Sequence, residues 1–416
     1  MKFQNSMRDH TGSIYYGWKV VLAVFVMLMF SSGLGFYNLS VIMTALIAER
    51  GFSVTYASSA ITLFFITSGM SGLLAANLMK KYDPRFTITI GSIVGAFSLV
   101  AIGFIREIWQ LYTVYFIFAV GFSFSSLVPG TTLVANWFNQ KRAVALSIAS
   151  TGLSVGGVIL IPLSAKMIHE MGLQKATFWF GVIYFLGIFP ITAVFVRSEP
   201  AFLKMGMDGA ALKSDINSDH QTQRGVPYKK AIAGRYFIIM ISSFIVIMMS
   251  QVGAIAHLFK VVNDRVSGEM AATAISVLAG VSVISRLIGG WVVHRYISIR
   301  SLIVALMLLQ AIALTVLAFG TSGDILILGT VAFGMTMGNL LMLQPLLVAD
   351  SFGLRDYGRI YSFGWMLISI GIAIGPGLMG VLHDLFHGYT IPFLSVSILS
   401  LLGTFLLTSA DSPPDY

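Results

Sequence analysis

Twelve stretches of about twenty or more apolar residues follow one another along this chain, almost free of charge, and that succession limits the possible folds more than any other feature. A bilayer core of ~30 Å is crossed by about 20 helical residues. Within it backbone N–H and C=O groups must be satisfied internally, which only helices and closed barrels achieve. The runs are Gly17 to Ile47, Tyr56 to Met79, Phe86 to Ile105, Trp109 to Trp137, Ala143 to Ile168 and Ala176 to Phe195, then Tyr236 to Val262, Ala271 to Val293, Ser301 to Gly320, Ile325 to Val348, Gly358 to Leu382 and Thr390 to Leu407. Charged residues are only 10% of the 416, against about 25% in soluble domains, too few to clothe a water-soluble fold of this size. The pattern predicts an all-α membrane protein with twelve transmembrane helices in two six-helix bundles.

Several function classes fall away. The net charge of +9 is the remainder of 26 basic and 17 acidic residues with no basic block, so no nucleic-acid partner is expected. With no cysteine, disulfides, thiolate metal sites and thiol nucleophiles are excluded. There is no His-Glu-x-x-His pair, no carboxylate cluster within a run and no Walker A loop. No metal, cofactor or catalytic residue is therefore expected, and the reading is not an enzyme. The polar start Met1 to Ser13 leads into a run too long for a signal-peptide core, so the first span is expected to stay in the membrane.

The one long polar stretch, Arg197 to Arg235, reads as a cytoplasmic linker (197–235) between an N-terminal bundle (1–196) and a C-terminal bundle (236–416). Placing the N-terminus inside puts nineteen Lys and Arg on inner segments, and only Arg50, Arg106, Lys166, Lys175, Lys260 and Arg265 on outer ones. That bias orients both termini to the cytoplasm. Sliding one half 214 residues onto the other aligns Val134, Ala135 and Phe138 with Val348, Ala349 and Phe352, Gly157 with Gly371, Pro162 with Pro376, and His169 and Glu170 with His383 and Asp384. The halves thus read as copies of one unit, an arrangement of rocking transporters that hold substrate near the midplane.

One basic residue is unexplained by orientation: Arg286, inside the eighth run. A charge at bilayer depth costs roughly 2.5–3.5 kcal/mol on insertion scales, so it marks a functional site by default. Ala279, Ser282, Gly289 and Gly290 share its helical face, a small-residue strip suited to packing or to lining a cavity; the alternative is snorkelling to the cytoplasmic interface. A guanidinium facing such a cavity suits a mobile carboxylate. Tyr37, Asn38, Tyr115, Gln251, His257, Asn339 and Gln344 could hydrogen-bond a small substrate, and each could equally bond a neighbouring helix. Asn339, after Gly334 and Gly338 and before Pro345, ranks second to Arg286.

Several segments together resemble the major facilitator superfamily, and within it the branch of monocarboxylate transporters and oxalate:formate antiporters. They are Tyr16-Gly17-Trp18-Lys19-Val20-Val21 at the first run, Trp137-Phe138-Asn139-Gln140-Lys141-Arg142 before the fifth, and the linker's opening from Arg197 to Pro200 and on to Gly206-Met207-Asp208-Gly209. In that branch an arginine of the eighth helix binds the substrate carboxylate, and Arg286 stands at its place. The superfamily's loop after the second helix is degraded here to Lys80, Lys81 and Asp83 before Arg85, and its counterpart carries His294, Arg295 and Arg300; these charges are expected at the cytoplasmic gate. Proton-coupled animal members have an aspartate where this chain has Ser282, and oxalate exchangers a second cation in the eleventh helix, where only Arg359 stands at the edge. The resemblance implies a secondary transporter of a small organic anion, best a monocarboxylate of the lactate, pyruvate or formate type, with a co-transported proton or an exchanged anion. A dicarboxylate exchanger, a drug exporter, and a membrane enzyme or sensor are the alternatives. A bacterial inner membrane and a functional monomer are expected.

Overall fold

The computed structural model describes residues 15–52, 54–203, 205–209, 225–411 and 413. Eleven helices are long and apolar enough to cross a membrane. One of them, Arg142–Phe195, has 54 residues, about 80 Å at 1.5 Å per residue and too long for one crossing. Gly172 breaks it with φ 76° and ψ 164°, a conformation open to glycine and closed to most side chains. The fifth and sixth spans meet there, giving twelve.

In chain order the spans are as follows. The first is Gly17–Ser31 and Asn38–Arg50, joined by a π-helical segment, Ser32–Tyr37. The second and third are Val54–Lys81 and Pro84–Ile102. The fourth is Ile108–Phe124 with Leu127–Trp137. After the broken pair, and a short helix Tyr228–Ala233, come Arg235–Arg265, Gly268–Arg295, Ile299–Phe319, Gly323–Phe352, Tyr357–Phe386 and Thr390–Ser409 as spans seven to twelve. Most helices outlast their apolar runs by a few residues, because the polar residues that end a run can extend the helix past the apolar core.

Internal contacts divide the chain into two compact units, Met1–Arg224 with Tyr357–Phe363, and Gly225–Asp356 with Gly364–Tyr416. Each is built around the same close crossing. In the first unit a Cβ on Gly152 or Gly156 would overlap the Phe25 or Met29 carbonyl, and one on Gly33 would press on the Gly156 carbonyl. In the second, Gly371 and Gly375 meet the Ile245 and Met249 carbonyls, and Gly253 meets that of Gly375. Small residues let two backbones approach where lipid supplies no hydrophobic force between helices. The crossings correct the expectation of one constant offset: Gly156 matches Gly375 and Gly33 matches Gly253, offsets of 219 and 220, while Gly157 packs on the Tyr37 ring. Apolar helices repeat residue types often enough to align by identity at the wrong turn.

A second repeated device closes helix ends. Arg50 Nη2 donates to the Gly103 carbonyl at 2.9 Å, just past the third span. At the end of the ninth, Arg265 donates to the carbonyls of Leu317 (2.6 Å), Gly320 (2.9 Å) and Ala318 (2.9 Å). Terminal carbonyls lack intrahelical partners and carry the negative end of the helix dipole, so a guanidinium both bonds and neutralises them. The acid before each arginine is also engaged. Glu49 accepts from the Leu173 N–H at 3.0 Å, where the sixth span starts, and Asp264 from Lys260 Nζ at 2.9 Å. Two of the six outer basic residues are thus helix caps.

Arg265→Ala should destabilise the second unit by about 1.5–3 kcal/mol, the range for hydrogen bonds to a charged group, and lower the thermal unfolding midpoint in detergent; an unchanged midpoint would show that water replaces the guanidinium without loss.

Candidate functional site

The eighth span presents Ser282, Ser285, Arg286 and Gly289 on one face, at intervals of three and four. All four are buried, whereas Ile284, Leu287 and Ile288 on the other faces are exposed. The buried stripe packs on Gly334 to Asn339 of the tenth span. A Cβ on Gly338 would overlap the Ser282 carbonyl, and one on Gly334 would crowd that of Leu278. Ser285 Oγ donates to the Met335 carbonyl at 3.3 Å.

Arg286 lies in the middle of this crossing with 1% of its surface exposed. Its Nε donates to the Gly338 carbonyl at 2.6 Å, so the guanidinium is held inside the helix pair, which excludes snorkelling. Asn339 is beside it, 4% exposed. Its Nδ2 donates to the carbonyls of Ser285 (3.0 Å) and Met335 (2.9 Å). Oδ1 sits where a Cβ of Gly289 would be, buried without a hydrogen-bond partner.

The other candidates of this unit lie at different contacts. Gln251 donates to Gln310 Oε1 at 2.9 Å, and Gln310 Nε2 reaches the Ile247 carbonyl, Ser250 Oγ and Ser400 Oγ at 3.1–3.3 Å. Thr336 Oγ1 donates to the same Gln310 oxygen at 3.3 Å. Gln251 therefore bonds a neighbouring helix, the second of the two roles open to it. Gln310 is the hub that sequence reasoning missed, although a lone amide in the middle of the ninth run was its signal. His257 Nε2 faces the Pro376 carbonyl at 3.0 Å and Nδ1 the Tyr389 hydroxyl at 3.2 Å. A carbonyl accepts only, which puts a proton on Nε2; the tyrosine hydroxyl can donate to Nδ1 or accept from it. Gln344 is buried, its Nε2 without a partner.

In the first unit, Asn38 follows the π-helical segment with no exposed surface, and neither amide atom has a hydrogen-bond partner. Tyr37 stacks edge-on with Phe36, ring centres 5.0 Å apart, and Tyr115 is buried in the fourth span. A separate cavity of about 620 Å³ near the end of the first span is lined by Glu49, His169 and small apolar residues. Among the described residues no three His, Cys, Asp or Glu side chains gather as a metal site.

The sequence model of the Major Facilitator Superfamily matches residues 25–308 and 232–416, nearly the whole chain. The chain belongs to the Major Facilitator Superfamily. It is 23% identical over 343 residues to the MFS transporter asaE of Aspergillus flavus, covering 82% of this chain and 74% of that one. It is also 23% identical over 406 residues to human monocarboxylate transporter 2, covering 91% and 82%. Among solved structures it resembles the E. coli fucose:proton symporter, with TM-score 0.70, 16% identity and 94% and 98% of the chains covered. The human organic anion transporter MFSD10 gives 0.71 at 16% identity, with 94% and 99% covered. These likenesses establish the fold: this is a multi-pass superfamily transporter.

The loop residues assigned to a superfamily gate have their own partners. Asp83 caps the third span and takes Arg85 Nε and Nη2 at 3.1 Å each. Burial pushes the Asp83 carboxyl up, and the bonds from Arg85 outweigh it, so it titrates below the ordinary carboxylate value. Lys80 and Arg295 are exposed, and Lys81 lies over the Tyr82 ring at 5.2 Å. Arg300 caps the last helix through the Leu407 and Ala410 carbonyls at 2.8 and 2.6 Å. The side chain of His294 lies outside the described residues.

Gln310→Leu should destabilise the second unit by about 1–3 kcal/mol by stranding the amide of Gln251. The double variant Gln251→Leu/Gln310→Leu should recover part of that loss in thermal unfolding, since no polar atom of either amide is then left unpaired.

Proposed function

We propose that the protein moves a small organic anion, best a monocarboxylate of the lactate, pyruvate or formate type, across a membrane by alternating access. The buried Arg286 is the observation that carries this reading. Guanidinium keeps its charge at any accessible pH, and burial of a charge is costly unless it is paired or otherwise serves. Its planar fork presents parallel N–H donors that match a carboxylate. One fixed positive charge balances one carboxylate, whereas a dianion would remain half-neutralised where the dielectric is low. Similarity to monocarboxylate transporters supports the same class.

Asn38 and Gln344, whose amides retain unpaired buried atoms, are the next candidates to meet a polar group of the substrate, each within its own unit. His257 or the substrate itself would carry a co-transported proton, and exchange against an internal anion is the other mode of coupling.

Labelled lactate uptake into proteoliposomes tests the assignment. Arg286→Ala should lower uptake at least about 30-fold, in line with the 2–5 kcal/mol lost when one member of a buried charge pair is removed. Arg286→Lys should keep a fraction. Unchanged uptake in the alanine variant would remove Arg286 from the site.

A further inference from the structure

We infer that Asn339 is a positioning residue, which fixes the direction of the Arg286 guanidinium and does not itself touch the anion; this rests on Arg286 being the anion's ligand. The geometry comes from two adjacent residues of one helical turn. Gly338 supplies the carbonyl that takes Arg286 Nε, and Asn339 anchors that turn to the facing helix through the Ser285 carbonyl. Because Nδ2 faces two carbonyls, which only accept, the amide can be oriented in one way alone. Oδ1 must then lie against Gly289, where a glycine leaves just enough room.

Ser285, Arg286 and Gly289 thus form one surface, and Asn339 is the key that sets its register against Gly338. A shift of the tenth span by a fraction of a turn would take the Gly338 carbonyl from Nε. The guanidinium plane would turn, and with it the fork of terminal nitrogens. Neither Asn339→Ala nor Asn339→Asp can hold the register. Alanine has no donor, and aspartate would set a negative oxygen against the two carbonyls.

Two readouts separate this from the choice of substrate. In protein labelled with nitrogen-15 at arginine Nε, Arg286 should give a slowly exchanging Nε–H signal, identified by its absence in Arg286→Lys. That signal should shift or lose protection in Asn339→Ala and in Gly289→Ala, both checked for an intact unfolding transition. An unchanged signal in both variants overturns the inference, whatever the substrate. In lactate uptake, Asn339→Ala should raise KM about tenfold, near 1.4 kcal/mol, with kcat within about twofold. In the Arg286→Lys background, which lacks Nε–H, the same change should cost less than about twofold; an equal cost there would make Asn339 a general structural residue. Loss of lactate uptake by the unaltered protein would count against the anion reading alone.

A different set of contacts independently points to a second device: the two ends of the linker are clipped to corresponding loops of the two repeats. At the head, the Asp208 carboxylate accepts from the backbone N–H of Asn139, Gln140 and Lys141 at 3.0, 2.8 and 3.2 Å, in the turn before the fifth span. Asp208 has φ 57°, a conformation few side chains adopt unless surrounding bonds hold it. The Tyr15 hydroxyl reaches the Trp137 and Gly206 carbonyls at 3.0 and 3.2 Å, and the Trp137 indole donates to the Arg197 carbonyl at 2.9 Å. At the tail, Val226 N–H donates to the Phe352 carbonyl at 2.9 Å, and Asp356 accepts from Tyr228 N–H at 3.1 Å. Phe138 and Phe352 close the fourth and tenth spans, so the two clips occupy equivalent loops.

Backbone hydrogen exchange checks each clip. Asp208→Asn should speed exchange at residues 139–141 at least about tenfold and leave Tyr228 alone, and Asp356→Asn should do the reverse; unchanged exchange overturns the clips.

Discussion

Helices surrounded by lipid have no hydrophobic reason to choose one another, because a lipid tail is as apolar as a leucine. What selects partners is how closely two backbones can come, and what polar bonds that approach permits. In each unit glycines carry the crossing of the first span on the fifth, or the seventh on the eleventh, with carbonyls where side chains would otherwise stand. The eighth and tenth spans use the same means, through Gly334, Gly338 and Gly289. Arg286 depends on it. The Gly338 carbonyl that takes Arg286 Nε at 2.6 Å lies in that glycine-lined crossing.

Charge plays two separate parts. At the helix ends Arg50, Arg265 and Arg300 meet carbonyls that have no partner within their helices. Asp83 and Asp208 meet free N–H groups at helix starts. These residues are exposed or half-buried, so their contribution is structural and local. Arg286 has the opposite setting. Its cation is buried in the middle of a helix crossing, where desolvation is dear, with Nε on the Gly338 carbonyl.

The spans, the break near Gly172 and the singular status of Arg286 were legible in the sequence, because each is a property of one segment: the length of an apolar run, its interruption, a charge within it. Partners were not. Whether Gln251 faces a substrate or Gln310 depends on the rotation of two helices about their own axes, and apolar periodicity fixes that only weakly when lipid and protein sides are both apolar. His257 against Pro376 and Tyr389 is the same case. That Arg300 caps the last helix was not legible either, because the end of that helix is more than 100 residues away in sequence. The acid-arginine pairs Glu49-Arg50 and Asp264-Arg265 offered a clue to the repeat that an ungapped slide of 214 passes over, since they stand 215 apart.

The repeat also tells where to look for what is particular to this chain. Duplication copied the glycine crossings and the arginine caps, so these belong to the scaffold, whatever it transports. Arg286 has no counterpart within the second span, which carries no basic residue before Lys80. The π-helical segment Ser32–Tyr37 has none in the seventh, a regular α-helix from Arg235 to Arg265. Such segments are rare and often mark functional sites. Here it immediately precedes Asn38, whose buried amide has no hydrogen-bond partner. An unsatisfied buried amide costs about 1–3 kcal/mol per group, and a helix register shifted at that cost is hard to explain by packing alone.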